Sequence, residues 1–176
     1  MNENKQTWWR SINTILIAIT LTIVISVSAT VGNMLEHQAY ENEIAQLMKD
    51  ESIRYDVYVD TLGNKTIGVG HMLTDDEQYT KLTPHQAIEL LRYDYNIASK
   101  SVLKRYPWAS GDVHRVLVNM SFQMGEGRLS KFEQTLLALE RSDYDLAAAE
   151  MLDSEWARQT PNRASRLAGR IMSLSD

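Results

Sequence analysis

The sequence contains no cysteine among its 176 residues. This absence excludes a disulfide-stapled scaffold, a thiolate nucleophile, a cysteine zinc site and an iron–sulfur cluster. It also excludes activation by thiol–disulfide exchange. The formal net charge of −5 argues against a broad nucleic-acid-binding surface. No residue spacing matches a common metal or nucleotide site, so we expect no metal, no cofactor and no nucleic-acid partner.

Charged residues are also absent from residues 11–35, a run of 25 that includes ILIAITLTIVISV. About 20 apolar residues in a helix cross a bilayer core of roughly 30 Å, so the run predicts one transmembrane helix. Lys5 and Arg10 precede the run and Glu36 follows it, which predicts a cytoplasmic N-terminus and an exported remainder. The segment is either a retained signal anchor or a signal peptide cleaved after Ala29. Its many small and hydroxyl side chains predict weak anchoring and release.

The remaining residues, 36–176, form the predicted second domain after the anchor of residues 1–35. They number 141 and carry a net charge of −6, and the length suffices for a real core. Over residues 55–60, every second residue belongs to one set of side chains, as in a β-strand, and residues 65–70 form a second short strand-like segment. Together the two segments predict a β-hairpin. Apolar spacing and capping residues predict helices over 37–50, 83–105, 112–124, 130–140, from 142, and 160–172. The fold class is therefore α+β and mainly helical: a small hairpin lobe, a long connecting helix and a helical C-terminal lobe.

Two carboxylates flank the predicted hairpin in a pattern that suits glycoside hydrolysis. Glu51 ends or directly follows the first helix of the domain, Asp60 ends the first strand, and Thr66 stands on the second strand. A glycosidase needs one carboxyl group protonated and one ionised on opposite sides of a cleft. Taken alone, the two carboxylates fit a solvated helix end and an ordinary turn better than a catalytic pair, so the catalytic interpretation needs further support from the sequence.

Three sequence blocks, in order, carry a resemblance to a known family. DESIRYDVYVDTLGNKTIGVGHMLT resembles the catalytic region of the phage-type lysozymes, glycoside hydrolase family 24, whose best-known members come from T-even bacteriophages. NMSFQMGEG and WARQTPNRASR are similar to two further blocks of that family. The resemblance covers roughly residues 41–171. It implies a lysozyme-like two-lobed fold.

The resemblance also implies catalytic roles at matching positions. Glu51 stands where the family has its general acid, and Asp60 where it has the general base or the carboxylate that stabilises a cationic transition state. Thr66 stands where the family's threonine holds the attacking water. A water held between two carboxyl groups suits a one-step inverting reaction.

Supporting residues follow from the same match. Phe122 and Gln123 match cleft-lining positions, and Arg163 matches the family's arginine near the catalytic glutamate. His71 and Asp94 match an ion pair between the small lobe and the long helix, which we interpret as structural.

The implied protein is an endolysin that hydrolyses the β-1,4 bond between N-acetylmuramic acid and N-acetylglucosamine in peptidoglycan and so lyses the host cell. We expect the protein to be held in the host inner membrane by residues 11–35, with the catalytic domain in the periplasm. Release of the anchor would free the protein into the periplasm. We expect a monomer. Two alternatives remain: a lytic transglycosylase, which needs only the acid glutamate, and a non-enzymatic, membrane-anchored murein-binding protein. The chain departs from the T-even pattern in its short segment between Thr74 and Thr83 and in its acidic domain.

Overall fold

The computed structural model describes residues 3–60 and 63–175, with side chains from residue 20 onward. The chain divides into two compact units, Met1–Asn42 and Glu43–Asp176. The domain boundary between residues 35 and 36 stays a prediction.

The first unit consists of helix α1 (Glu3–Asp50), which continues into the second unit. Its described apolar side chains are mostly exposed; Leu21, Val24 and Ile25 each expose more than half of their surface. The hydroxyl groups of Ser26 and Thr30 donate to carbonyl oxygens four residues earlier, at 2.7 and 2.9 Å. The helix thereby satisfies these polar groups within itself.

Among the described residues, no membrane-spanning helix is found. Over the described residues, no helix combines the length and the apolar character that a crossing requires. The structure therefore does not bear out the transmembrane helix predicted over 11–35. Within that span, the side chains of residues 11–19 lie outside the described residues.

The second unit contains a three-stranded antiparallel sheet in the order β1 (Arg54–Val59), β2 (Lys65–Gly68) and β3 (His71–Met72). The sequence predicted the first two strands but not the two-residue β3, which is too short to show a period. Gly70 joins β2 to β3 with a φ of +83°, a conformation that favours glycine. Thr66 lies on the central strand, opposite Tyr58 on one side and Met72 on the other.

The sheet packs against the start of the long helix α2 (Pro84–Arg105). Ile67, Leu82 and Leu90 form the buried cluster there, with Ile53 and Val57 packed against it. The N-terminus of α2 is a complete capping box, in which Thr83 accepts from the Gln86 backbone N–H and Gln86 accepts from the Thr83 backbone N–H. This cap was predicted and is confirmed, because both partners are local in sequence.

The rest of the unit is helical and encloses a second core. The helices are α3 (Gly111–Met124), α4 (Glu126–Leu129), α5 (Glu133–Glu140), α6 (Tyr144–Leu152), α7 (Glu155–Gln159) and α8 (Pro161–Met172). The largest side chains with no more than traces of exposure include Leu117, Met120, Met151, Leu167 and Ile171. The mainly helical fold with a small antiparallel sheet is thus confirmed.

Two predicted helix caps are wrong. Ser130 ends α4, and its hydroxyl group donates to the Gly127 carbonyl instead of opening α5. The α6 cap is Asp143, one residue beyond the predicted Ser142, and its carboxylate accepts from the Leu146 backbone N–H. The short helices α4 and α7 were not predicted, because one turn shows little periodicity.

Candidate active site

Glu51 lies directly after the end of α1. Its backbone N–H donates to the Leu47 carbonyl at 3.0 Å, so the helical path fixes the residue's position. Its side chain is 31% exposed, and its Oε1 lies 2.6 Å from Arg163 Nη1. The carboxylate is therefore held in place while one side stays accessible to a ligand.

Arg163 is the anchor of this arrangement. It lies in the first turn of α8 and exposes only 6% of its side chain. Its Nε donates to Asn119 Oδ1 at 2.8 Å, and its Nη2 donates to the Asn119 carbonyl at 3.3 Å. Asp50 accepts from Arg166 and lies 3.7 Å from Arg163. The end of α1, the buried middle of α3 and the start of α8 therefore meet at one charged network.

A cavity of about 670 Å³ adjoins Glu51. Its lining residues include Phe122 and Gln123 from α3, and both His71 and Asp94. A substrate-binding role for Phe122 and Gln123 stays a prediction. Gln123 accepts a hydrogen bond from the Trp156 indole N–H at 2.7 Å. This contact ties the cleft-side amide to the helical core.

Asp60 and Thr66 lie together at the hairpin, and Asn64 contacts both. Asp60 accepts from the Asn64 backbone N–H at 2.8 Å and from its side-chain amide at 3.1 Å. Thr66, only 3% exposed, donates to the Asn64 carbonyl at 3.2 Å. Neither Asp60 nor Thr66 is among the described residues that line the cavity beside Glu51. Their catalytic roles stay a prediction.

His71 and Asp94 are in contact, and a third residue, Glu77, completes the cluster. His71 Nδ1 lies 2.9 Å from Asp94, and its Nε2 lies 3.1 Å from Glu77. Burial opposes a charged imidazole, but the hydrogen bonds and charges of Asp94 and Glu77 outweigh it, so the pKa of His71 is raised. Burial raises the pKa of Asp94, and the hydrogen bond from the Thr74 backbone N–H lowers the pKa of Glu77.

Sequence reasoning missed several further residues of the cavity, among them the interacting pair Ser101 and Glu126. The Ser101 hydroxyl group, on α2, donates to the Glu126 carboxylate at the start of α4. Glu126 lies inside the quoted NMSFQMGEG block, which was its only signal. Across the described residues, no group of three or more histidine, aspartate or glutamate side chains is arranged to hold a metal ion.

The phage lysozyme family model matches residues 48–170, which include Glu51, the whole sheet and Arg163. The protein belongs to the phage lysozyme family. This membership makes the chain a glycoside hydrolase, as the sequence predicted. Membership of this family also agrees with the Glu51 carboxylate at the edge of the cavity, because glycoside hydrolases use carboxyl groups for catalysis.

Several known proteins are similar to this phage lysozyme. Probable T4-type lysozyme 2 of Dictyostelium discoideum is 28% identical over 69% of this chain and 88% of its own length. The pre-baseplate central spike protein Gp5 of Enterobacteria phage T4 is 31% identical over 69% of this chain but only 26% of its own length. Peptidoglycan hydrolase gp36 of Pseudomonas phage phiKMV is 30% identical over 75% of this chain and 15% of its own length.

Proposed function

We propose that this phage lysozyme is an N-acetylmuramidase, which hydrolyses the β-1,4 bond between N-acetylmuramic acid and N-acetylglucosamine in peptidoglycan and thereby lyses the host cell. The observation that carries the proposal is the Glu51 carboxylate, which faces a cavity of about 670 Å³ and is fixed by the buried Arg163. The similarity to a phage peptidoglycan hydrolase supports the choice of substrate.

The proposed catalytic groups have different tasks. Glu51 donates a proton to the glycosidic oxygen as the bond breaks. Asp60 acts as general base or stabilises the positive charge that develops on the sugar. Thr66 orients the attacking water through its hydroxyl group. Support for the pairing comes from Asn64, which holds Asp60 and Thr66 at the same turn.

A lytic transglycosylase is the second candidate, and one observation favours it. Neither Asp60 nor Thr66 is among the described residues that line the cavity beside Glu51. A transglycosylase needs only one acid residue at the cleaved bond, so this arrangement would suffice for it. The two reactions differ in product mass. A hydrolase adds one water to the cleaved bond, whereas a transglycosylase leaves an anhydro-muramic end lighter by that water.

Mass spectrometry of purified peptidoglycan digested by the full chain therefore tests the proposal. We expect hydrated reducing ends. Anhydro ends as the main product would contradict it and favour the transglycosylase.

We also propose that residues 11–35 anchor a monomeric protein in the host inner membrane, with the N-terminus in the cytoplasm and residues 36–176 in the periplasm, until the anchor is released. The support is the 25-residue run without charge and the basic residues before it.

Membrane fractionation of cells that express the full chain tests this anchor. An Ile23→Arg variant places a charge in the middle of the run, at a cost of about 3 kcal/mol for insertion, whereas the control Asn33→Arg places it near the end. We expect wild type and Asn33→Arg in the membrane fraction and Ile23→Arg outside it. Equal distribution of all three would overturn the proposal.

A further inference from the structure

A second concave site lies outside the proposed catalytic cavity. It is a pocket of about 320 Å³ between the segment that follows β3 and the first half of α2, lined by Glu77, Tyr79, Gln86, Glu89, Leu90 and Tyr93. Tyr79 and Tyr93 are 39% and 58% exposed. Two large aromatic side chains thus remain accessible in one pocket, where burial would ordinarily be favourable.

The pocket is joined to the catalytic cavity by the His71 cluster. Glu77 lines the pocket and contacts His71, which lines the catalytic cavity together with Asp94. Tyr93 directly precedes Asp94 on α2. The two concave sites therefore share this cluster as a common wall.

The chemistry of the pocket fits a sugar ring. Tyr79, Tyr93 and Leu90 supply apolar surface, whereas the carboxylates and the Gln86 amide supply hydrogen-bonding groups. The charges of the carboxylates are partly met by neighbours: His71 contacts Glu77, and Arg92 Nε lies 3.6 Å from Glu89 Oε1. A pyranose has an apolar C–H face and polar hydroxyl edges, which match aromatic rings with a polar rim.

We propose that Tyr79 and Tyr93 form a second glycan-binding site, which holds a hexosamine ring of the peptidoglycan strand away from the bond that is cleaved. This inference rests on the proposed function, because it takes the same polymer as the ligand. The site holds the enzyme on a long strand between cleavages and is not needed for a short substrate.

Binding of the full chain to insoluble peptidoglycan tests the proposal, in a Glu51→Gln background so that the polymer stays intact. We expect Tyr79→Ala and Tyr93→Ala each to weaken binding about tenfold through loss of the ring contact. Tyr→Phe at either position keeps the ring and should stay within about twofold of the parent. Tyr55→Ala is the matched control, because Tyr55 on β1 is 38% exposed and lines neither concave site. Unchanged binding in both alanine variants, or equal losses in the alanine and phenylalanine variants, would overturn the site.

A second readout separates this inference from the proposed function. With Glu51 intact, the Tyr79→Ala/Tyr93→Ala protein should hydrolyse a soluble tetrasaccharide of alternating N-acetylglucosamine and N-acetylmuramic acid at the wild-type rate and whole peptidoglycan about tenfold more slowly. If the variant hydrolysed whole peptidoglycan as fast as wild type does, and the tetrasaccharide as fast as well, only the second site would be refuted. No hydrolysis of either substrate by wild type would refute the proposed function itself.

Discussion

At the scale of single residues, buried hydrogen bonds explain how the proposed site is held. Arg163 is buried, and its guanidinium group contacts Glu51 and Asn119 together. Ion pairs with one buried partner and several hydrogen bonds fix geometry better than exposed pairs do. The glutamate is thereby oriented by a contact 112 residues away in sequence.

Thr66 provides a residue-scale prediction. The Thr66→Val variant keeps the shape of this buried side chain but removes the hydroxyl group that donates to Asn64. We expect a loss of about 1 kcal/mol in unfolding free energy and a much larger, roughly hundredfold, loss of hydrolysis on peptidoglycan. Thr66→Ser, which keeps the hydroxyl, is the control and should retain most of the activity. A valine variant as active as the serine variant would remove Thr66 from the mechanism.

His71 gives a prediction about pH. Because its folded pKa is raised, its contribution to stability is fully present below its unfolded value of about 6.5 and is lost as pH rises through the folded value. The facing carboxylate of Glu77 has a lowered pKa in the folded protein. The contribution of Glu77 to folding stability is therefore lost as the pH falls through this folded pKa. Wild type should therefore exceed His71→Gln in melting temperature most clearly near pH 6. A difference that grows from pH 6 to pH 9 would contradict this account.

At the scale of elements, a charge network joins α1 and α8 within the second unit. Arg170 Nη1 lies 2.6 Å from Glu43 Oε1, and Arg170 Nη2 lies 2.6 Å from Asp112. Glu43 is only 4% exposed, and its Oε2 has no hydrogen-bond partner in the described part of the chain. A buried carboxylate of this kind depends on a neighbouring cation, here Arg170.

We therefore expect Arg170→Met to lower the free energy of unfolding by about 3–5 kcal/mol, since it leaves the buried Glu43 carboxylate uncompensated. The control Arg158→Met removes an exposed partner of Glu155 and should change the free energy of unfolding by less than about 1 kcal/mol. Denaturant titration of both variants measures this. Similar losses in the two variants would show that Glu43 does not depend on Arg170.

The elements also show what the sequence can and cannot predict. Helix α2 was predicted to within a residue, because its capping box and its proline lie next to each other in the chain. Strand β3 and helix α7 were missed, because segments of two and five residues are too short to show a repeating pattern of apolar side chains. In the candidate site, the sequence pointed to Glu51 and Arg163 through a family pattern, but their 2.6 Å contact comes from tertiary packing.

At the scale of the whole molecule, the acidic domain is a physical constraint on how the enzyme meets its substrate. Residues 36–176 carry a net charge of −6. Attraction to an anionic cell wall therefore contributes little to affinity or association rate. In place of electrostatic attraction, we propose that the membrane segment and the pocket of Tyr79 and Tyr93 keep the enzyme near its substrate.

This charge balance predicts a weak response to salt. Between 50 and 200 mM NaCl, binding of the full chain to peptidoglycan should change by less than about threefold, because few cationic contacts are screened. A sedimentation assay over this range measures the effect. A fall of tenfold or more would show that local basic patches drive wall binding despite the net charge.

The most direct test of the central claim is the rate at which the Glu51→Gln variant cleaves glycosidic bonds in purified peptidoglycan. Glutamine keeps the size of the side chain and can still contact Arg163, but it cannot donate the carboxyl proton. We expect a loss of about a thousandfold with an unchanged circular dichroism spectrum. The control Glu140→Gln, at the exposed end of α5, should match wild type. Activity of Glu51→Gln within about tenfold of wild type would contradict the assignment of Glu51 as the general acid.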